Sequence, residues 1–480
     1  MKYKHALFLY PYIEKSIGMC LFPPTGLEYV ATSAKDYVGK ATLVDLRYDK
    51  ILCDTGRLMD FIRKDVDIIC VSISWNHQLA EIYGLLNLMP DGIPLVVGGY
   101  KATEDVEEIF IRCPKVDIVV RGEGEETIRE ILKDEPIKKI LGISYRAGGK
   151  VTHNKSRPLP DITTITPPDR KIRQYEYSMM SNGVKVASVT FDTILSSRGC
   201  PFNCKFCTFN MNPLGQKRDY ASRNAESVVR EIEGISADII LFSDDNFFTE
   251  PKRSEEICDL IIARKIKKRF VAQTRIDLAE YPELLKKIVR AGFKMLLLGI
   301  ESPHDRILAS FNKGFDQDTI RKHLSVLRKQ PILFHGYFIY GNLSETEEEM
   351  LYISKFAKEI GLDSIAFSKL RVDKYSPLKE IVKNAPGYHL TARGEVYSDR
   401  YSHSYLKKIH RKLRFYFYTP LKVLNITVKI LRIRFFSFHE IVSFAVVVPL
   451  LLNRIIRKEI KEKRLAESIK HIFGIARNGI

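Results

Sequence analysis

The sequence predicts an α/β protein with two successive parallel-sheet domains and a basic, mostly helical C-terminal region. Apolar runs of strand length alternate with amphipathic helical stretches through most of the chain, the pattern of βαβ units with right-handed crossovers. A proline-bearing stretch, RPLPDITTITPPD, interrupts the alternation. Positive charge is concentrated at the end, where residues 401–480 hold 17 basic and 4 acidic side chains of a chain whose formal net charge is +18.

Length and composition exclude several classes of protein. The chain has 480 residues, of which 45% are hydrophobic and 28% charged, so it is neither a small stapled module nor a disordered or many-pass membrane protein. Its eight cysteines are too few for a disulfide framework, and MKYKHALFLYPY lacks the features of a signal peptide. We therefore expect a reducing, cytoplasmic environment.

Residues 1–135 are predicted to form a Rossmann-like, doubly wound sheet. The expected strands are HALFLY, ATLVDL, DIICVSIS, PLVVGG and DIVVRG, with helices near 26–38 and before Leu88. Glycine or polar turns follow several strands, at the edge where such sheets bind ligands. Residues 136–190 contain a hairpin-like run, SYRAGGKVTHN, and the proline stretch, and are predicted to be a linker.

Residues 191–385 are predicted to form a partial (β/α)6 barrel. Six expected strands are DTILSS, DIILFSDD, RFVAQTR, KMLLLGIES, ILFHGYFIYG and DSIAFSKL, and helical patterns occupy 224–234, 251–267, 281–291, 316–329 and 344–360. The chemistry of such a barrel lies at the carboxyl ends of its strands.

Three cysteines follow the first of these strands at C-x3-C-x2-C spacing: Cys200, Cys204 and Cys207. Three thiolates on one loop hold three irons of a cubane cluster and leave the fourth iron open. A zinc site needs a fourth ligand, and no Cys or His lies nearby to supply it. The other five cysteines are scattered and are expected to be small buried side chains. The spacing favours a 4Fe–4S cluster over zinc or unrelated thiols.

The segment RGCPFNCKFC resembles the signature of the radical S-adenosylmethionine (radical SAM) superfamily, and the resemblance covers about residues 190–375. It implies that SAM binds the open iron and that one electron, from a reductant such as ferredoxin or flavodoxin, cleaves SAM to methionine and a 5′-deoxyadenosyl radical. It also implies that Phe206 packs beside the adenine; the alternative is a core aromatic.

The resemblance suggests further SAM contacts but no catalytic residue. LFSDDNFF, QTRIDL and LLLGIESP end three of the barrel strands, where polar groups would meet the amino group, carboxylate and ribose of SAM. For Asp245 and Asn246 the alternative is helix capping. For Glu301 it is a surface ion pair, and for Arg275 it is a structural salt bridge. The candidates are Asp244, Asp245, Asn246, Arg275, Glu301 and Ser302.

The first domain resembles the cobalamin-binding domain of a radical SAM group that includes the anaerobic magnesium-protoporphyrin cyclase and hopanoid methylases. PPTGLEYVA, VSIS, VVGGYKAT and VVRGEGEETI carry the resemblance. It implies that a corrin lies close to Ser72, Ser74, Gly98 and Gly99; glycines that only form tight turns are the alternative. The first loop has no D-x-H-x-x-G histidine, so cobalamin is expected without a protein histidine ligand, if it is bound.

The sequence leaves three functions open. With cobalamin, the resemblance implies methylation of an unactivated carbon, and without it a radical cyclisation, coupling or rearrangement. A non-catalytic iron–sulfur or membrane scaffold is the third. Trp75 is expected in the core unless it packs on a corrin, and His77 is expected on the surface or in a helix.

Residues 386–480 are predicted to be an amphipathic segment. Their longest uncharged apolar run, 441–452, has 12 residues, whereas a membrane span needs about 20. Alternating cations and large apolar side chains suit a peripheral position at the inner membrane surface, and hence a lipid-like or isoprenoid substrate. A nucleic-acid partner is disfavoured, because RNA-modifying relatives carry an additional cysteine trio that this sequence lacks. A helical cap over the barrel mouth is the other alternative.

Overall fold

The computed structural model describes residues 1–13, 22–181, 184–207, 211–372, 375–391 and 393–443. Part of the loop after the first strand and most of the apolar run 441–452 lie outside these residues. Within them the two predicted sheets are present, each with seven strands. No helix in the described part of the chain is long and apolar enough to cross a membrane.

The first sheet has the order β2-β1-β3-β4-β5-β6-β7, in which β1 to β5 are parallel. Its buried strands and flanking helices share one core. The hairpin predicted in the linker is formed, and β6 pairs antiparallel with β5, so the sheet extends beyond residue 135. Helix α2 was not predicted. The elements are β1 His5–Tyr10, α1 Thr25–Ala34, β2 Lys40–Asp45, α2 Thr55–Asp65, β3 Ile68–Ser72, α3 Leu79–Leu88, β4 Leu95–Gly98, α4 Tyr100–Glu104, α5 Val106–Arg112, β5 Ile118–Val120, α6 Glu125–Leu132, β6 Ile143–Ala147 and β7 Lys150–His153.

The second sheet is the predicted partial barrel. Its order is β16-β15-β14-β13-β12-β9-β8, with six parallel strands and β8 antiparallel at one edge. The elements are β8 Ser178–Ser181, β9 Val184–Ile194, β10 Ser197–Arg198, β11 Ala221–Ser222, α7 Ala225–Glu233, β12 Ile239–Phe242, α8 Pro251–Ala263, β13 Arg269–Thr274, α9 Pro282–Ala291, β14 Phe293–Glu301, α10 Asp305–Ser310, α11 Gln317–Leu327, β15 Leu333–Tyr340, α12 Glu347–Glu359 and β16 Ser364–Lys369.

Local sequence signals explain where the barrel helices begin. The side chains of Asn224, Asp316 and Thr346 accept hydrogen bonds from backbone N–H groups in the first turns of α7, α11 and α12. Glu349 returns the bond at α12 and completes a capping box, which satisfies two otherwise unpaired donors. These caps fix the first turn of each of the three helices.

The helices of the C-terminal region pack on the outside of the barrel and at the amino ends of its strands, whereas the hairpin of residues 388–398 lies beside the carboxyl end of β16. Helix α13 Leu378–Lys383 precedes this region, which contains β17 Tyr388–Leu390, β18 Val396–Ser398, α14 His403–Phe417 and α15 Pro420–Arg432. Helix α14 buries Leu406, Ile409, Leu413 and Phe417 in the main barrel core.

Helix α15 and the residues after it lie at the amino ends of the barrel strands. Lys429 pairs with Asp363, just before β16, at 2.6 Å, and Arg269, the first residue of β13, pairs with Glu440 at 2.9 Å. Active sites of such barrels lie at the opposite, carboxyl end. Helix α15 and residues 433–443 therefore do not cap the barrel mouth.

Candidate active site

The cysteine loop follows β10 and is fastened to the barrel rim by backbone contacts. Cys200, Cys204 and Cys207 are all partly exposed and free of disulfides. The Lys205 N–H donates to the carbonyl of Phe311 at 2.9 Å, and the Ser376 hydroxyl donates to the carbonyl of Lys205 at 3.0 Å. The loop is therefore held at the carboxyl end of the barrel, as predicted.

The three thiols are not gathered around one point. No group of three or more His, Cys, Asp and Glu side chains within the described ranges is close enough to hold a single metal ion. A cubane cluster does not need such a group, because each thiolate binds a different iron.

Asp244 anchors the start of the cysteine loop. It is completely buried, and its carboxylate accepts hydrogen bonds from the hydroxyls of Ser196, at 2.9 Å, and Ser197. Burial raises the pKa of this carboxyl, and these serine contacts oppose the shift. Asp244 therefore has a structural role, and its predicted contact with SAM stays a prediction.

Asp245 lies next to the cysteines. Its carboxylate accepts the N–H of Gly199 at 3.0 Å. Burial raises the pKa of Asp245 to about 6. Burial also raises the pKa of the Cys200 thiol, and the charge of Arg275 opposes that shift. Asp245 thus positions the residue before the first cysteine, and the predicted role in SAM binding stays a prediction.

Asn246 fits a ligand contact. Its side chain is buried, and its Oδ1 has no hydrogen-bond partner within the described residues. A buried amide oxygen left without a donor is rare in folded proteins, and an ammonium group is a suitable donor. Ser302, in contrast, is buried and its hydroxyl accepts the N–H of His304 at 3.1 Å.

Glu301 forms a buried ion pair with Lys313, at 3.2 Å between Nζ and Oε1. The pair is not on the surface, so the surface alternative for Glu301 is wrong. Glu301 has φ +73° at a register shift of β14, a backbone conformation that costs energy and is common at functional sites. The Lys313 ammonium also lies 5.5 Å from the centre of the Phe206 ring.

Arg275 lies between the cysteine loop and this ion pair. Its guanidinium stacks on Phe202 of the loop, 3.8 Å from the ring centre, and donates to Asp277 at 2.8 Å and to the carbonyl of Lys313 at 2.9 Å. The structural salt bridge is thus present, and it holds the cation beside Cys200. Phe206 packs against Phe311, with ring centres 4.9 Å apart.

Small residues line the carboxyl edge of the first sheet, as predicted. The hydroxyls of Ser72 and Ser74 are 3.2 Å apart. Gly99 has φ +105°, and a Cβ there would lie 2.6 Å from the carbonyl oxygen of Ile73, so only glycine fits. At Gly98 a Cβ would make an ordinary contact at 3.6 Å.

A cluster of aromatic side chains lies beside these residues. Trp75 is 56% exposed, which contradicts the default expectation of core packing, and its indole N–H donates to the hydroxyl of Tyr10 at 3.0 Å. The Tyr12 hydroxyl accepts the N–H groups of Ser74 and Trp75. The ring of His77, an exposed residue as expected, lies 4.8 Å from that of Tyr12. The group presents aromatic surface where a corrin is expected.

The carboxyl edges of the two sheets face each other. Arg198, two residues before Cys200, pairs with Glu123 and, at 2.7 Å, with Glu125 of the first domain. Arg218 also pairs with Glu123 at 2.7 Å. These charged contacts place the strand ends of the first domain over the cysteine loop.

Lys313, Arg198, Glu123 and Glu125 were not predicted from the sequence. Lys313 lies in a turn after α10, twelve residues from its partner Glu301. The two glutamates belong to VVRGEGEETI, a segment that indicated only the resemblance to cobalamin-binding domains. The only sequence signal for the contact between the two domains is the arginine–glycine pair in RGE and in RGC. Such a pair is too common in proteins to predict a contact by itself.

Comparisons with known proteins agree with this geometry. Residues 194–357 match the radical SAM superfamily, and residues 20–132 match the B12-binding domain. The chain is therefore a radical SAM enzyme. More particularly, it carries an N-terminal B12-binding domain, and its cofactors are a 4Fe–4S cluster, SAM and cobalamin.

The chain is similar to several proteins of this kind. It is 28% identical to an uncharacterised methyltransferase of Pyrococcus horikoshii, over 77% of this chain and 81% of that protein. It is 29% identical to the anaerobic magnesium-protoporphyrin IX monomethyl ester cyclase of Cereibacter sphaeroides, over 68% of this chain but only 55% of the cyclase. The fold matches the radical SAM methyltransferase TsrM of Kitasatospora setae with a TM-score of 0.64 and 18% identity, over 85% of this chain and 81% of TsrM.

The residues present fit these cofactors. Three thiols on one loop suit the cluster, the unpartnered Oδ1 of Asn246 suits the amino group of SAM, and the glycine edge at Gly99 suits a flat macrocycle beside backbone. When bound, the cofactors supply methyl and radical chemistry. The chain itself binds and orients them, and Arg275 places a cation beside the loop.

Proposed function

We propose that this protein is a cobalamin-dependent radical SAM methylase that methylates an unactivated carbon of a hydrophobic substrate, lipid-like or isoprenoid in character. The observation that carries the proposal is the apposition of the two carboxyl edges through Arg198, Glu123 and Glu125. A methylase that uses both cofactors on one substrate must bring the two sites to a common space. The non-catalytic scaffold has no such requirement.

The barrel interior supports a hydrophobic substrate. Side chains of β15 alternate, and Phe334 and Phe338 face the helix layer, so Tyr337 and Ile339 face the interior. On β12 and β14, Leu241 and Leu297 take the equivalent interior positions and are only partly buried. Aliphatic side chains left partly exposed inside a barrel offer an apolar wall to a bound molecule.

Polar groups in the same interior would orient the substrate. His335 donates or accepts through Nδ1 at 2.8 Å from the hydroxyl of Ser364, and burial lowers the pKa of His335 to about 4. Its ring lies 5.0 Å from that of Tyr337. A neutral imidazole and a phenol suit a hydroxyl or carbonyl on an otherwise apolar skeleton.

The proposal is tested with enzyme reconstituted anaerobically with iron, sulfide and cobalamin. It is incubated with reductant, SAM labelled in its methyl group, and a total lipid extract, and the lipids are analysed by mass spectrometry. We expect label in a lipid, and none with the Cys204→Ala variant. Label confined to RNA nucleosides, or an unlabelled altered lipid, contradicts the proposed substrate or reaction.

We further propose that the C-terminal region attaches the protein to the inner membrane surface. Phe415, Leu421 and Phe438 are each at least two-thirds exposed, and cations such as Arg432 and Arg434 are exposed between them. This combination suits an anionic bilayer, at about 1 kcal/mol for each basic residue near the surface.

This surface lies at the end of the barrel opposite the cysteine loop, so attachment would localise the protein and leave the mouth facing away from the bilayer. Sedimentation of the full chain with vesicles tests it. We expect binding to anionic vesicles that weakens with salt and with Arg432→Gln/Arg434→Gln. Equal binding to neutral vesicles contradicts the charge mechanism.

A further inference from the structure

A cavity of about 340 Å³ lies outside the barrel, beside its rim. It is bounded by the ends of β15 and β16, by the turn between β17 and β18, and by the first three turns of α14. Tyr340 and Lys369, the last residues of β15 and β16, reach it from the outer face of the sheet. It belongs to neither cofactor site.

The cavity has an excess of positive charge. Lys369 pairs with Glu395 at 2.8 Å and lies 3.1 Å from the Nδ1 atom of His403. Arg393 and Lys407 also line it, and no ion pair joins either of them to a carboxylate of the described residues. Glu395 neutralises one of the three cations, so two positive charges remain.

Hydrogen-bond donors accompany these charges. His410 approaches the cavity from α14, with its Nδ1 3.4 Å from the Tyr340 hydroxyl, and burial lowers the pKa of His410. His403 lies 3.5 Å from Glu395. Two imidazoles, a phenol and an exposed guanidinium therefore converge on a space large enough for a tetrahedral oxyanion with part of its parent molecule.

We propose that this cavity is a binding site for the phosphate group of a phosphomonoester. A phosphomonoester carries about −1.5 to −2 charges near pH 7, which matches the two uncompensated cations, whereas a carboxylate would leave one of them unpaired. Arginine and lysine together provide a planar fork and a point charge for such oxygens. The proposal does not depend on the proposed reaction or on membrane attachment.

Isothermal titration of the reconstituted full chain with glycerol 3-phosphate and with inorganic phosphate tests the site. At 0.15 M salt, where longer-range attraction is screened, we expect a dissociation constant below about 1 mM. Arg393→Gln and Lys407→Gln should each weaken binding about tenfold, because each removes a charge-assisted contact. Both side chains are exposed, so the variants should fold normally, as circular dichroism would show.

Lys408→Gln is the matched control, because Lys408 is an exposed lysine adjacent to Lys407 that does not line the cavity. A parallel arm measures binding to vesicles with and without phosphatidic acid. Binding that is weakened by Arg393→Gln and Lys407→Gln supports the site. The ligand is then soluble if glycerol 3-phosphate binds, and it is a lipid headgroup if only the phosphatidic acid vesicles bind. Binding that is absent in both arms, or unaffected by these two changes, or equally reduced by Lys408→Gln, overturns the proposal.

Discussion

The buried Glu301–Lys313 pair offers a quantitative test of the site. The two side chains are only 10% and 5% exposed, so Lys313→Met leaves a carboxylate without its counter-charge in a poorly solvated place. Removal of one member of a buried pair costs about 3–5 kcal/mol. Glu301→Gln should also destabilise, because the buried ammonium then loses its partner. The double variant leaves neither charge and should cost about 2 kcal/mol less than the sum of the single changes.

Urea unfolding of the cofactor-free protein measures these free energies. Circular dichroism is the appropriate signal, because the single tryptophan, Trp75, lies in the first domain and does not report on the barrel. Lys322→Met, at an exposed position of α11, is the control and should change stability by less than about 0.5 kcal/mol. Additive single changes, or a Lys313→Met cost equal to that of the control, would refute the buried pair.

Three further predictions concern the site and its surroundings. Asp244→Asn removes the charged acceptor of two serine hydroxyls and should lower the unfolding free energy by about 2–3 kcal/mol, as measured by urea titration. The variant should also incorporate less iron. Unchanged stability contradicts the anchoring role of Asp244. Burial raises the pKa of Glu28, on α1, to about 7, above its unfolded value, so the contribution of Glu28 to stability should fall as pH rises from about 4.5 to 7 and then level off. Glu28→Gln should therefore gain about 2 kcal/mol relative to wild type between pH 5 and pH 8.5, and a constant difference across that range argues against the shift. Gly99→Ala places a Cβ 2.6 Å from the Ile73 carbonyl oxygen and should abolish cobalamin retention in absorption spectra. Gly84→Ala, in open space on α3, should retain cobalamin. Equal retention by both variants contradicts a corrin site at Gly99.

The strand pattern was predictable because most strands of each sheet are parallel and buried. These strands are continuous apolar runs of Val, Ile, Leu and Phe, which stand out against the amphipathic helices between them. Helices α7, α11 and α12 were also located from their helical patterns, and their capping residues agree with these positions. The hairpin β6–β7 was recognised, but its pairing with β5 was not, because strand pairing depends on tertiary contacts.

The cysteine loop was predictable from spacing alone, but the surrounding charges were not. Asp244 looked like a ligand contact because it follows a strand, yet it turns toward Ser196 and Ser197. Lys313 gave no signal, since an isolated lysine is usually on the surface. The location of α15 at the amino ends of the barrel also had no sequence signal, because composition shows that a helix is amphipathic but not which surface it covers.

The central claim is that Cys200, Cys204 and Cys207 hold an iron–sulfur cluster, and the iron content of anaerobically purified protein tests it most directly. We expect about four irons per chain in the wild type and the same in Cys53→Ala, which alters an exposed cysteine remote from the loop. Cys204→Ala should lose most of this iron. A wild type without iron, or a full complement of iron in Cys204→Ala, would contradict the account.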